Sequence, residues 1–271
     1  MKKTLTIAGS DSTGGAGLQA DLKTFQEFGT FGMSAITSIV TMDSTRNWSH
    51  EIDTIEPAIV KKQLETIFSA GNPAALKTGM LGDIRTISVV RKLLDHYQPK
   101  NIVIDPVLAC KGTAGILLSE NAETIRTQLL PIADITTPNL IEAGILSGLG
   151  DLSSVNEIEH AAKIIHEFGA KHVVIKGGRR FDDREAIDVF YDGKSFDYLS
   201  SPIIHTDNNH GAGCTFAAAI TAGLANGHTS LAAVKTAKAF VHQAIMAGSP
   251  FNTYLGHIWH GAYRDNGNRL T

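Results

Sequence analysis

Short apolar, β-branched runs alternate along this chain with longer segments in which apolar residues recur at three- and four-residue steps. That alternation predicts βαβ units and a parallel sheet. The strand-like runs fall at 5–8, 35–41, 75–78, 102–105, 135–136 and 173–176. Helical periodicity fills the intervals at about 16–28, 57–69, 83–96, 119–129, 139–147 and 155–168. In the second of these, Pro57 suits a first-turn position, and Ile59, Val60, Leu64, Ile67 and Phe68 form one apolar stripe. The pattern changes after Gly177. Runs at 186–191 and 195–199 flank Asp192-Gly193-Lys194, which predicts an antiparallel hairpin. Two Ala-rich helices follow, at about 212–226 and 230–247. With no internal repeat or flexible linker, residues 1–271 read as a single α/β domain. The expected architecture is a doubly wound, mostly parallel sheet flanked by helices, with an antiparallel edge.

Composition narrows the function classes. The 271 residues carry 24 Lys and Arg against 27 Asp and Glu, a formal net charge of −3. That balance disfavours a nucleic-acid or anionic-membrane partner, which would need a basic surface. Two cysteines are too few for a disulfide scaffold, so free thiols in a reducing cytoplasm are expected. The apolar stretch near the N-terminus runs only from Leu5 to Ala8, which reads as a strand and not as a targeting segment. The Ala-rich run at 216–225 is far short of a membrane span.

In doubly wound sheets, ligands bind beyond the carboxyl ends of the strands. The polar and Gly-rich clusters of this chain occupy those positions. Residues 9–17, Gly-Ser-Asp-Ser-Thr-Gly-Gly-Ala-Gly, connect the first strand to the first helix. They form either a ligand-contacting loop or a tight turn with a Ser or Thr helix cap, and lack the Walker A pattern. His210-Gly211-Ala212-Gly213-Cys214-Thr215 opens an Ala-rich helix, where bare amides and the helix dipole suit a phosphoryl group. Cys214 in that first turn is expected to have a lowered thiol pKa, or else to be a small packing residue. Asn139 and Glu142 have capping-box spacing, and a carboxylate beside an amide there could also organise Mg²⁺. Asp21 and Asp105 read as lone carboxylates, and Lys176 ends a strand within reach of a phosphate or of solvent. His257 and His260 read as an exposed helical face in preference to a zinc site.

Taken together, six ordered motifs resemble the ribokinase superfamily, in its hydroxymethylpyrimidine kinase and pyridoxal kinase branch. They are residues 6–11, 14–23, 77–81, 137–143, 176–178 and 210–215, spread over nearly the whole chain. The resemblance implies ATP-dependent phosphorylation of a hydroxymethyl group on a small aromatic heterocycle. It implies that Gly211, Ala212 and Gly213 form an anion hole, with Cys214 where sugar kinases of the superfamily carry a catalytic Asp. Glu142 would organise Mg²⁺. Asn139, Lys176, Gly177, Asp188 and His210 would accompany Gly211 and Gly213 at the nucleotide. Gly9, Asp21, Met42, Met80, Val107, Cys110, Lys111 and Cys214 would meet the substrate. A homodimer is the expected assembly, and a monovalent cation requirement stays open.

Two departures from the pyrimidine kinase pattern bear on the substrate. That family usually carries Gln-Asn-Thr after the second strand, whereas this chain has Met42-Asp43-Ser44. It also usually carries Ala before the Lys of the loop after the fourth parallel strand, whereas this chain has Cys110-Lys111. Loss of the amide would leave an aminopyrimidine edge unpaired. A second thiol suits an aldehyde-bearing ligand, so the pyridoxal kinases with two active-site cysteines are the nearer resemblance. The pyrimidine kinases are the alternative, and a non-catalytic vitamer- or nucleotide-binding regulator is the alternative from another class.

Overall fold

The computed structural model describes residues 1–108, 117–178 and 184–267. Its strands β1 (Lys3–Asp11), β2 (Phe31–Asp43), β3 (Ser49–Thr54), β4 (Ala75–Thr78), β5 (Ile102–Ile104), β6 (Ile135–Thr136), β7 (His172–Lys176), β8 (Glu185–Tyr191) and β9 (Phe196–Pro202) form one nine-stranded sheet. The order is β3-β2-β1-β4-β5-β6-β7-β8-β9. The strands from β2 through β7 in that order pair in parallel, whereas β3, β8 and β9 are antiparallel. The sheet therefore has an antiparallel edge at both ends, not at one. The additional strand, β3, reads Ser-His-Glu-Ile-Asp-Thr and is mostly exposed. Polar and charged residues on an edge strand oppose further pairing, and they also hide the strand from an apolar-periodicity reading.

The helices are α1 (Gly17–Glu27), α2 (Pro57–Ser69), α3 (Ile84–Tyr97), α4 (Leu117–Thr124), α5 (Leu140–Ser147), α6 (Val155–Glu167), α7 (Ala212–Ala225), α8 (Ser230–Met246) and α9 (Ala262–Asp265). The stretch expected as one helix to residue 129 instead passes from α4 into a π-helical turn, Ile125–Leu129, before Pro131. Alternation along the strands divides the core between two faces. Ile102, Ile104, Val173 and Ile175 face one cluster with Val60, Leu64 and Phe68 of α2 and with Val90, Leu94, Ile158 and Ile165 of α3 and α6. Val103 and Val174 face the other, with Phe25 of α1 and the Ala-rich α7 and α8. Small residues let α7 lie close between sheet and α8: a Cβ on Gly223 would stand 3.0 Å from the Ala233 Cβ.

β1 pairs with β2 on one side and β4 on the other, so successive connections leave it in opposite directions. Such a switch point opens a crevice at the strands' carboxyl ends. The register of β1 against β2 slips between Ala8 and Ser10, where Thr37 and Ser38 of β2 bulge opposite the single residue Gly9. A short hairpin, β10 (Ser249–Pro250) with β11 (Gly256–His257), closes over the same region, with a backbone bridge between His257 and His210. Among the described residues, no helix is long and apolar enough to cross a membrane.

Candidate active site

The loop between β1 and α1 is organised by Asp11. Its carboxylate accepts from the Thr13 amide and hydroxyl and, at 2.8 Å, from the Ala16 amide. Ala16 is the N-cap of α1 and supplies no side-chain cap, so Asp11, and not a Ser or Thr, closes this helix start. Gly9 faces Ser38 and Met80: a Cβ there would lie 2.7 Å from the Ser38 Oγ and 3.7 Å from the Met80 sulfur. Thr37 fixes this wall by donating to the Met80 carbonyl at 2.6 Å. Val107 is half-buried just beyond β5, and Met42 stands opposite His50 next to the turn that joins β2 to β3. Cys110 and Lys111 lie outside the described residues.

Asp21 and Asp105 are not lone. Asp21 is fully buried, takes the Thr6 hydroxyl at 2.6 Å, and holds the Lys77 ammonium at 2.9 Å from both oxygens. Burial would lower the Lys77 ammonium, but Asp21 first, then Cys214 and Asp105, keep it above the ordinary lysine value. Lys77 lies in the motif 77–81, but the sequence alone assigned it no role and no partner. Its signal was a lysine inside the apolar run Ala75-Leu76-Lys77-Thr78, which is costly unless paired. Asp105 holds Lys176 at 3.2 Å and accepts from the Thr137 hydroxyl at 3.0 Å.

Cys214 sits in the first turn of α7, half-buried, with the Gly17 amide donating to its sulfur. The thiol thus lies at the N-termini of two helices, its own and α1. The expected lowered pKa is nevertheless corrected. Burial pushes the thiol up to about 11, Lys77 and the Gly17 amide oppose that rise, and Asp21 and Asp105 add to it. The N-cap of α7 is Gly211 at φ 88°, where a Cβ would fall 1.8 Å from the Gly15 carbonyl oxygen. The Ala212 amide donates to the Asn209 carbonyl at 3.2 Å. A Cβ on Gly213 would lie 3.5 Å from the Lys176 ammonium, so a cation stands directly before a helix N-terminus.

Asn139 and Glu142 do form a capping box. The Asn139 side chain accepts from the Glu142 amide at 2.9 Å, and Glu142 from the Asn139 amide at 2.8 Å. Burial pushes the Glu142 carboxyl up to about 7, Lys176 opposes that, and Asp105 adds to it. Two buried carboxylates share one ammonium here. That residual negative charge suits a hard divalent cation held by one or two carboxylates and completed by water and phosphate oxygens.

Lys176, Asn139 and Gly213 form the polar end of a cavity of about 420 Å³. Its far walls are apolar, from Ile203, Ile204, Phe216, Val241 and Ile245. Asp188 lines it as well, accepting from the Gly177 amide at 3.1 Å and from Lys238 at 2.8 Å. A cavity of this size, with charged groups (Lys176, Asp188, Lys238) and apolar side chains together in its lining, suits a nucleotide in size and mixed polarity.

The histidine expectation is overturned. His257 lies on β11 against Gly15, not on a helix. His260 is 5% exposed, with its Nε2 3.0 Å from the Thr215 hydroxyl. The C-terminal segment therefore folds back onto the start of α7.

Comparison with known proteins agrees with this geometry. The family described as phosphomethylpyrimidine kinase matches residues 11–259. The chain belongs to that family. Within it, pyridoxine kinase of Bacillus subtilis is 47% identical, over 98% of each chain. Hydroxymethylpyrimidine/phosphomethylpyrimidine kinase of the same organism is 38% identical, over 97% of this chain and 96% of the relative. Among solved structures, pyridoxal kinase from Staphylococcus aureus in complex with AMP-PCP and pyridoxal superposes with a TM-score of 0.91. It is 48% identical, over 97% of this chain and 95% of that one.

Proposed function

We propose that this chain is an ATP-dependent kinase that phosphorylates the 5′-hydroxymethyl group of pyridoxal, pyridoxine and pyridoxamine, in vitamin B6 salvage. The observation that carries the reading is the joining of two half-sites at Cys214. On one side lie the Gly9 and Met80 wall and the Gly17 amide; on the other lie the α7 N-terminus and Lys176. Phosphoryl transfer is mostly positioning and charge neutralisation, and both are built here.

In this reading the nucleotide occupies the cavity beside Asn139, Gly177 and Asp188, with its transferring phosphoryl between Lys176 and the Gly211 and Gly213 amides at the start of α7. Glu142 and Asp105 are the groups that would hold Mg²⁺, which when bound neutralises phosphate charge. Gly9, Met80 and Val107 shape the acceptor pocket, with Asp21 beneath it holding Lys77. Cys214 faces the acceptor hydroxyl and assists its deprotonation. Because burial keeps the resting thiol protonated, Lys77 and the Gly17 amide are the groups that stabilise its thiolate. A homodimer in the cytoplasm completes the proposal.

Incubation with Mg-ATP and pyridoxal, with the product identified by mass and phosphorus NMR, is expected to yield one phosphate ester at the 5′ position. Absence of turnover would contradict the reading. Hydroxymethylpyrimidine as acceptor is the second reading, favoured by the description of the family itself. Met42 in place of an amide side chain argues against it.

A further inference from the structure

Three segments remote in sequence meet at one carboxylate. Asp11, 4% exposed, ends β1 and gathers the loop that follows it, as described above. Its Oδ2 also faces the Nε2 of His210 at 2.8 Å, across 199 residues of chain. The His210 amide donates to the Gly256 carbonyl at 3.0 Å, and the His257 Nε2 lies 3.3 Å from the Thr13 hydroxyl. The imidazoles of His210 and His257 flank the loop backbone. A Cβ on Gly15 would stand 2.2 Å from the His257 Cδ2 and 2.8 Å from the His210 Cδ2. One residue beyond His210, Gly211 packs main chain to main chain on Gly15.

We propose that Asp11 and His210 are a positioning pair that clamps the acceptor loop, residues 9–17, to the anion hole, residues 211–213, and so sets the separation between acceptor hydroxyl and phosphoryl group. The inference rests on the kinase reading above and deepens it. The acceptor loop carries Gly9 at the substrate wall and Gly17 at the Cys214 sulfur; the anion hole begins one peptide beyond His210. A shift of one half against the other moves both reacting partners. Misplacement by about 1 Å can cost about 10²-fold in rate. Burial opposes ionisation of Asp11, yet contacts from His210, Thr13 and Ala16 hold its carboxyl well below the usual range, so the clamp keeps a fixed negative charge. The resemblance to pyridoxal kinases instead makes His210 a nucleotide contact. The geometry argues otherwise: its Nε2 faces Asp11, and the cavity takes Asn209 and Ala212 from this stretch.

The test compares His210→Leu, which removes the donor, with His210→Gln, whose amide reaches a similar position. Leu is expected to lower kcat by about 10–100-fold with KM for ATP within about threefold, and Gln to restore most of the rate. Asp11→Asn combined with His210→Leu is expected to be no slower than the Asp11→Asn single variant, because the Asp11–His210 contact is lost in each single variant and Asp11→Asn alone also disturbs the Thr13 and Ala16 contacts. Where His210→Leu fails to fold by circular dichroism, His210→Asn, with an amide too short to reach Asp11, takes its place. A raised KM for ATP at unchanged kcat would make His210 a nucleotide contact and overturn the clamp. Equal rates for Gln and Leu, or additive losses in the double variant, would overturn it too. Wild-type enzyme inactive on every B6 vitamer would instead sink the kinase reading, which separates the two failures.

Discussion

At the scale of residues, the site depends on burying charge in pairs. Asp21 with Lys77 and Asp105 with Lys176 lie under the loops proposed to meet substrate and nucleotide, and the Cys214 thiol lies in the field of both. These pairs were not legible in the sequence, because each joins residues 56 or 71 apart through the sheet. What was legible was residue type at a strand's carboxyl end. Cys214→Ala is expected to lower kcat by about 10²–10⁴-fold with little change in ATP binding, as for loss of a proton-transfer group. A near-normal kcat would return Cys214 to packing. A second residue-scale outcome concerns His260, where burial first, then Lys23 and His257, lower the imidazole from 6.5 to about 4. Its folded pKa lies below the unfolded one. The stability it contributes is therefore present above about pH 6.5 and lost as pH falls toward 4. That contribution is on the order of 3 kcal/mol. Urea midpoints measured from pH 7 to pH 4 should fall more steeply for wild type than for His260→Gln. Parallel curves would show that His260 does not titrate as a buried neutral group.

At the scale of elements, strands were legible where both faces are buried. The runs at 75–78 and 135–136 coincide with β4 and β6, and helix α2 spans the stripe from Pro57 to Ser69. β3 was not, because its exposed edge carries charges where a periodicity argument needs apolar residues. The hairpin of β10 and β11 escaped for a different reason, since each strand has only two residues, and with it the true place of His257. Helix starts carry the chemistry: α7 presents its first turn to Lys176, and α5 combines a capping box with a buried carboxylate. Glu142→Gln separates these roles, since Gln still closes a capping box. Thermal stability is expected to change by less than about 1 kcal/mol, the usual worth of the cap. The Mg²⁺ concentration for half-maximal rate is expected to rise and turnover to fall. Wild-type Mg²⁺ dependence in that variant would leave Glu142 as a cap alone.

At the scale of the whole molecule, one sheet with two buried faces brings loops remote in sequence to one rim. The first and last thirds of the chain meet there through Asp11, His210 and His257. Catalytic geometry is consequently a property of the closed fold, which explains why ordered motifs across the sequence identified the rim while the contacts between them stayed hidden. In the proposed function, this rim is built for a B6 vitamer. The most direct test measures kcat/KM for pyridoxal, pyridoxine and hydroxymethylpyrimidine side by side, at one Mg-ATP concentration and with one preparation. Met42, standing where the pyrimidine kinases usually carry an amide, predicts at least about tenfold preference for the B6 vitamers, the effect of leaving an aminopyrimidine edge unpaired. Equal or greater efficiency on hydroxymethylpyrimidine would contradict it.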